Sequence, residues 1–249
     1  MRHALAAIAL ALFAGVLNAQ TFEVASVRPS DPNSRAFRFE ATADNGLRAI
    51  GTTLHFLIRM AYDVEDFQLS GGAAWTRSER FDISATPADP NATDLDASST
   101  GFEERTERLR QRLHTLLAER FQLILRQESR DAPVYILEQM KNGNKLSPPT
   151  GDRGIGRNRG LISAENASVP MFAKTLSVAL LRPVIDHTGL TGNYAFKLEW
   201  AEEGAPGEPE DTGVSLFTAI QEQLGLRLQS GKAPVPFISI DRAEKPSSN

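Results

Sequence analysis

The chain has 249 residues, of which 41% are hydrophobic and 23% charged, and its formal net charge is -4. That content supports one large or two small globular domains with proper cores. The acidic balance argues against a nucleic-acid binder and against adhesion to anionic membranes, and the absence of cysteine excludes disulfides, thiolate metal sites, a cysteine nucleophile and a lipid anchor on cysteine.

The first residues differ from the rest. Arg2 and His3 precede an almost wholly apolar run from Ala4 to Leu17, and Asn18-Ala19 place a small residue before Gln20. This is the pattern of a secretory signal peptide, so residues 1–19 are expected to be removed and the product to be periplasmic or extracellular. The other readings are a membrane anchor or a buried first helix. The run of about 14 residues is shorter than the roughly 20 that a span needs.

Phe22 to Val27 alternates as a strand, closed by the turn-forming Arg28-Pro29-Ser30-Asp31-Pro32-Asn33. Phe37-Arg38-Phe39 and Leu47-Arg48-Ala49-Ile50 are short strands around an Asp44-Asn45-Gly46 turn. Thr52 or Thr53 caps a helix whose buried stripe is Leu54, Leu57, Ile58 and Ala61. Gly71-Gly72 breaks the chain, Arg80 to Ser84 alternates as a strand, and Pro87 to Gly101 reads as a polar loop. A helix from Glu103 to Arg120 buries Leu109, Leu113, Leu116 and Leu117. Phe121, Leu123 and Leu125 then alternate as one strand, and Pro133 to Leu137 forms another.

A segment rich in Pro and Gly over 143–159 is the expected linker between a first α/β module, 20–142, and a second, 160–249. Beyond it come a short strand at Leu161-Ile162 and a helix with Ser168 as cap and Val169, Phe172, Ala173 and Leu176 on its face. Tyr194 to Trp200 alternates as a strand, and Glu202 to Thr212 is a loop. Ser215 caps a helix carrying Leu216, Ala219, Ile220 and Leu224. Leu226 and Leu228 alternate, and Pro236 to Ile240 is the last strand. The fold class read from this order is α+β: two tandem related α/β modules, each with short antiparallel strands packed on two helices.

The second set of elements repeats the first. Leu113, Leu116, Leu117, Glu119, Phe121, Leu123 and Leu125 lie 103 positions before Leu216, Ala219, Ile220, Glu222, Leu224, Leu226 and Leu228, and Pro133 lies 103 before Pro236. Upstream the offset is 115: Thr53, Leu54, Leu57 and Ala61 match Ser168, Val169, Phe172 and Leu176. Phe81 and Ile83 match Tyr194 and Phe196. Loops absorb the change of offset at little cost. These correspondences indicate an internal duplication.

Several stretches resemble an exported, soil-associated bacterial family of unknown function. They are Phe22-Glu-Val-Ala-Ser-Val-Arg-Pro-Ser30, Arg80-Phe-Asp-Ile-Ser84, Leu116-Leu-Ala-Glu-Arg-Phe-Gln-Leu123, Arg182-Pro-Val-Ile-Asp-His-Thr-Gly-Leu-Thr-Gly-Asn-Tyr-Ala-Phe-Lys-Leu-Glu-Trp200 and Ser215 to Leu228. The resemblance covers nearly the whole mature chain and implies no activity. The pattern of Ser168 to Trp200 and Ser215 to Ile240 is also similar to the short N-terminal domain of secretins and TonB-dependent receptors. That weaker likeness implies protein–protein contacts at the cell envelope.

Catalytic signatures are absent from the sequence. His55, His114 and His187 lie on separate elements with no metal-ligand spacing, and no Gly-x-Ser-x-Gly or Ser-x-x-Lys occurs. No metal or cofactor is expected. Asp186 and His187 are adjacent, which points them to opposite faces of a strand, and the turn into Gly189 accounts for Asp186. Gly154-Ile-Gly156-Arg-Asn-Arg-Gly160 lacks the strand–turn–helix context of a phosphate loop and reads as linker. Trp75, Tyr194 and Trp200 are the aromatics that suit either a ligand groove or a core rim. Trp75, Arg182, Asp186, His187, Tyr194 and Trp200 are therefore the candidate binding residues, and none is assigned a catalytic role. The expected function is that of a non-catalytic extracytoplasmic module binding an envelope or extracellular protein or peptide through exposed strand edges. The alternative is a secreted hydrolase acting on a polymer or peptide, built on Asp186, His187 and a carboxylate such as Glu199.

Overall fold

A computed structural model describes residues 22–42, 45–87, 99–201 and 213–247. The signal-peptide reading over 1–19 and most of the two expected loops, at 88–98 and 202–212, lie outside the described residues. In chain order the elements are β1 (Phe22–Pro29), β2 (Arg38–Ala41), β3 (Leu47–Thr53), α1 (Leu54–Tyr62), a 3-10 turn (Asp66–Gln68), β4 (Leu69–Gly71), α2 (Trp75–Ser78), β5 (Arg80–Pro87), α3 (Ser99–Phe121) and β6 (Ile124–Gln139). They continue with β7 (Ile155–Asn158), β8 (Leu161–Ser168), α4 (Val169–Leu180), β9 (Val184–Asp186), β10 (Asn193–Glu199), α5 (Leu216–Leu224) and β11 (Leu226–Arg242). Helices and small sheets mix as α+β, and most strand pairs are antiparallel.

The chain divides into two compact units. The first comprises residues up to Glu128 together with Phe237–Asn249. Its sheet runs β1-β5-β3-β2, all antiparallel. Period-two alternation turns Ala25, Val27, Leu47, Ala49, Phe81, Ile83 and Ala85 into one core with Leu54, Leu57, Ile58 and Ala61 of α1 and Leu113, Leu116, Leu117 and Phe121 of α3. Thr53 caps α1, its hydroxyl accepting from the Phe56 N–H at 3.1 Å. Phe81 meets Phe121 edge-on at 5.3 Å inside this core.

The second unit is Ser129–Pro236. Its sheet runs β10-β8-β7, and Ile162 and Leu198 join Phe172 and Leu176 of α4 and Ala219, Ile220 and Leu224 of α5 in a separate core. Ser168 and Ser215 cap the two helices, accepting from the N–H groups of Met171 and Thr218. Gly225 closes α5 at φ +63, a left-handed conformation in which glycine carries no Cβ penalty.

The pairing registers of the two units correspond. In the first, Thr53, Thr52, Ala49, Arg48 and Leu47 face Arg80, Phe81, Ile83, Ser84 and Ala85. In the second, Ser168, Ala167, Ala164, Ser163 and Ile162 face Asn193, Tyr194, Phe196, Lys197 and Leu198. Each pair maps onto its counterpart by the same steps, Thr53 to Ser168 on one strand and Arg80 to Asn193 on the other, and both ladders are interrupted at the same place. The three-residue strands correspond too. β4 lies parallel to Ile238–Ile240 of β11, and β9 lies parallel to Tyr135–Leu137 of β6.

Three features depart from the sequence reading. The expected linker is structured: Ser147 pairs with Ala195 through two backbone hydrogen bonds of 2.9 and 3.0 Å, and Ile155–Asn158 is β7. Ser147 thereby takes the position on β10 that Arg28 takes opposite Asp82 on β5. Second, Leu125 and Pro133–Leu137 belong to one 16-residue strand, and Leu226 to Ile240 to one 17-residue strand. Their middles, such as Arg126–Asp131, are exposed on both faces, so hydropathy carries no strand signal there. Third, the compact units divide within β6 and β11, and not at 143–159, because the last apolar residues, Ile238 and Ile240, complete the first core.

Leu117 is fully buried and Ile124 is half exposed. Leu117→Ala is expected to lower the unfolding free energy by about 2–5 kcal/mol. Ile124→Ala is expected to change it by less than about 1 kcal/mol. Urea titrations followed by circular dichroism check both.

Candidate functional site

The residues singled out by sequence are structural in their immediate contacts. Trp75, in the first unit, sits half-buried at the core rim, edge-on to Phe81 at 6.2 Å, with the Lys245 ammonium 6.0 Å from its ring. Tyr194 and Trp200 are half-buried against the second core, and the Tyr194 hydroxyl donates to the Thr191 carbonyl at 3.0 Å. The Arg182 guanidinium stacks 4.7 Å over Tyr135, which also meets Phe217 edge-on at 5.2 Å.

Asp186 turns onto its own loop. Its Oδ1 accepts from the Thr188 N–H at 2.8 Å and from the Thr188 hydroxyl at 2.7 Å, the local turn that Gly189 completes. His187 is exposed and bonds through its backbone N–H to the Leu137 carbonyl. Glu199 pairs with Lys197 at 2.8 Å. Each group of the supposed relay is thus engaged locally or open to solvent. Among the described residues no cluster of His, Asp and Glu is arranged to hold a metal ion.

A different site appears on the first unit. The side chains alternating with its core residues face outward and line a groove of about 630 Å³ on β1, β3 and β5. Ser26 and Arg28 come from β1, Arg48 from β3, and Asp82, Ser84 and Thr86 from β5. Cross-strand register builds it: Ser26 faces Ser84, Ser84 faces Arg48, and Arg28 faces Asp82.

The charges in this groove are unbalanced. Asp82 is committed to the fold, its Oδ1 accepting from the Ser30 hydroxyl at 2.6 Å and from the Gly51 N–H at 3.0 Å. Glu40, opposite Arg48 on β2, is held by Arg38 at 3.1 Å. Among the described residues Arg28 and Arg48 are left without an ion pair. Two exposed guanidiniums over a floor of hydroxyls can bind a carboxylate or another anion.

One titratable group is buried apart from this groove. His55 lies on the apolar face of α1 with 6% of its surface exposed. Its Nδ1 is 3.5 Å from Asp66, which also meets Arg77 at 3.6 Å, and its Nε2 has no hydrogen-bond partner among the described residues. Burial chiefly, and then the charges of Arg77 and Arg59 against that of Asp66, hold its pKa below the ordinary 6.5.

Neither the groove nor the His55 cluster was legible in the sequence. Arg28, Arg48 and Asp82 lie far apart along the chain, and alternating charges on a strand look like any solvated face. A histidine next to Leu54 inside a helical apolar stripe was the available signal for His55.

A model of a protein family described as a protein of unknown function, DUF3738, matches residues 55–243. No curated protein and no solved structure matches the chain.

The His55 environment sets a pH dependence. Its folded pKa is depressed, so the unfolded chain binds the extra proton first, and stability is fully present above pH 6.5. It is expected to fall as pH drops below about 6.5 toward the lower folded value. Urea midpoints measured from pH 7.5 to 5 are expected to decline less steeply in His55→Gln than in the parent chain.

Proposed function

The chain belongs to this family of unknown function, and we propose that it is a non-catalytic extracytoplasmic binding module that engages a peptide or protein partner on the outward face of the first unit's sheet. The observation that carries the reading is the open groove with two guanidiniums that make no ion pair among the described residues. The groove's volume is typical of ligand sites, about 300–1,000 Å³.

Three further points support the reading. The pattern of residues 1–19 favours export. The likeness to the envelope domains of secretins and TonB-dependent receptors favours protein contacts. The local engagement of Asp186 and Glu199 speaks for binding over hydrolysis. The reading also takes the two halves as products of duplication, which the matching registers and caps support. No helix among the described residues is long and apolar enough to cross a membrane.

The test is retention of envelope components on the immobilised chain. The Arg28→Glu, Arg48→Glu double variant, folded by circular dichroism, is expected to lose components that the parent chain holds. Equal retention by both proteins, or peptide turnover that stops in Asp186→Asn, contradicts the reading.

A further inference from the structure

We infer that the groove takes an acidic polypeptide segment, whose carboxylates occupy the space between Arg28 and Arg48. The inference rests on the binding reading above and names the ligand class. Arg28 and Arg48 are on strands separated only by β5, and their partners on β5, Asp82 and Ser84, are two residues apart. Strand spacing puts their Cα atoms roughly 10 Å apart across the sheet and roughly 7 Å along it. An extended peptide presents alternate side chains on one face at a repeat of roughly 7 Å. Two carboxylates at positions i and i+2 therefore match the offset along the strands, and the flexible guanidiniums reach inward across the sheet to meet them.

The fold does not need Arg48. In the second unit the pairing position of Arg48 is held by Ser163 and the same ladder forms, whereas the Arg28–Asp82 pair of the β1–β5 ladder corresponds to an isolated bridge between Ser147 and Ala195. Arg48 therefore belongs to the first unit's surface chemistry and not to strand pairing, whereas Asp82 is tied to Ser30 and Gly51.

The groove favours a polypeptide over other anions. It contains no aromatic side chain, so it offers no stacking platform for a base. Two cations on a chain of net charge -4 are too few for the phosphate contacts of nucleic acid. Ser26, Ser84 and Thr86 supply hydroxyls for peptide groups. Among the described residues β1 is an edge strand paired with β5, so a peptide backbone can also hydrogen-bond along its outer side.

The experiment uses the full chain without residues 1–19, isotopically labelled, and three probes: an octapeptide with glutamate at alternate positions, its glutamine counterpart, and citrate. The acidic peptide is expected to shift amide resonances of β1, β3 and β5. Arg28→Gln or Arg48→Gln is expected to weaken its binding about tenfold, and the double variant to abolish it. Arg227→Gln, which breaks the exposed pair with Glu138 in the second unit, is expected to leave it unchanged. Both arginines are exposed, and unchanged circular dichroism confirms that the variants fold. Equal binding of the glutamate and glutamine peptides overturns the acidic class while leaving the groove as a binding site. Citrate binding as tightly as the acidic peptide overturns the polypeptide assignment. Resonances of the groove unmoved by all three probes overturn the inference. The retention experiment with the double variant then decides separately whether the groove binds at all.

Discussion

Two backbone pairings, each only three residues long, govern how this chain is organised. β4 hydrogen-bonds in parallel to the end of β11, and β9 does the same to the end of β6. Through the first, Ile238 and Ile240 enter a core made otherwise by residues before Glu128. Through the second, Leu137 enters a core made otherwise by residues after it. Each unit is thus finished by a strand whose counterpart in sequence lies in the other half. Burying a Leu or Ile side chain stabilises by roughly 1.5–3 kcal/mol, so the exchanged strands bind their units by hydrophobic burial as well as by hydrogen bonds. Pairing across this sequence distance raises contact order, and slow folding is the physical consequence.

The helices were legible because they follow local rules. Thr53, Ser168 and Ser215 stand where caps belong, and the apolar residues after them recur at helical spacing. The correspondence of Thr53 with Ser168 and of Phe81 with Tyr194, read from residue types alone, coincides with matching ladder registers. What the sequence concealed is non-local. Arg126–Asp131 is a strand by virtue of its neighbour's backbone, not its own side chains. Val184–Asp186 is too short to show a period, and Ser147 pairs at a single bridge inside a proline-rich stretch. Sequence boundaries placed in the linker could not anticipate an exchange made by the strands at either side of it.

The same logic explains why the candidate site was missed. A groove formed by Arg28, Arg48 and Ser84 exists only after register brings three strands together. Each residue alone is an ordinary outward-facing polar position. The conspicuous residues, Trp75, Tyr194 and Trp200, turned out to pack at core rims, as large aromatics commonly do. Matching ladders with different outward chemistry separate two demands on the sequence. The register positions of Arg28, Arg48 and Ser84 in the first unit correspond to those of Ser147, Ser163 and Lys197 in the second.

Strand exchange is tested most directly by dividing the chain in the turn at Asn142-Gly143. Fragments 22–142 and 143–247 are produced separately, refolded alone and together, and analysed by size-exclusion chromatography with light scattering. The account expects each fragment alone to be incompletely folded, and the mixture to give a stable one-to-one complex with the circular dichroism of the intact chain. Two fragments that fold independently and elute as separate monomers when mixed would contradict it.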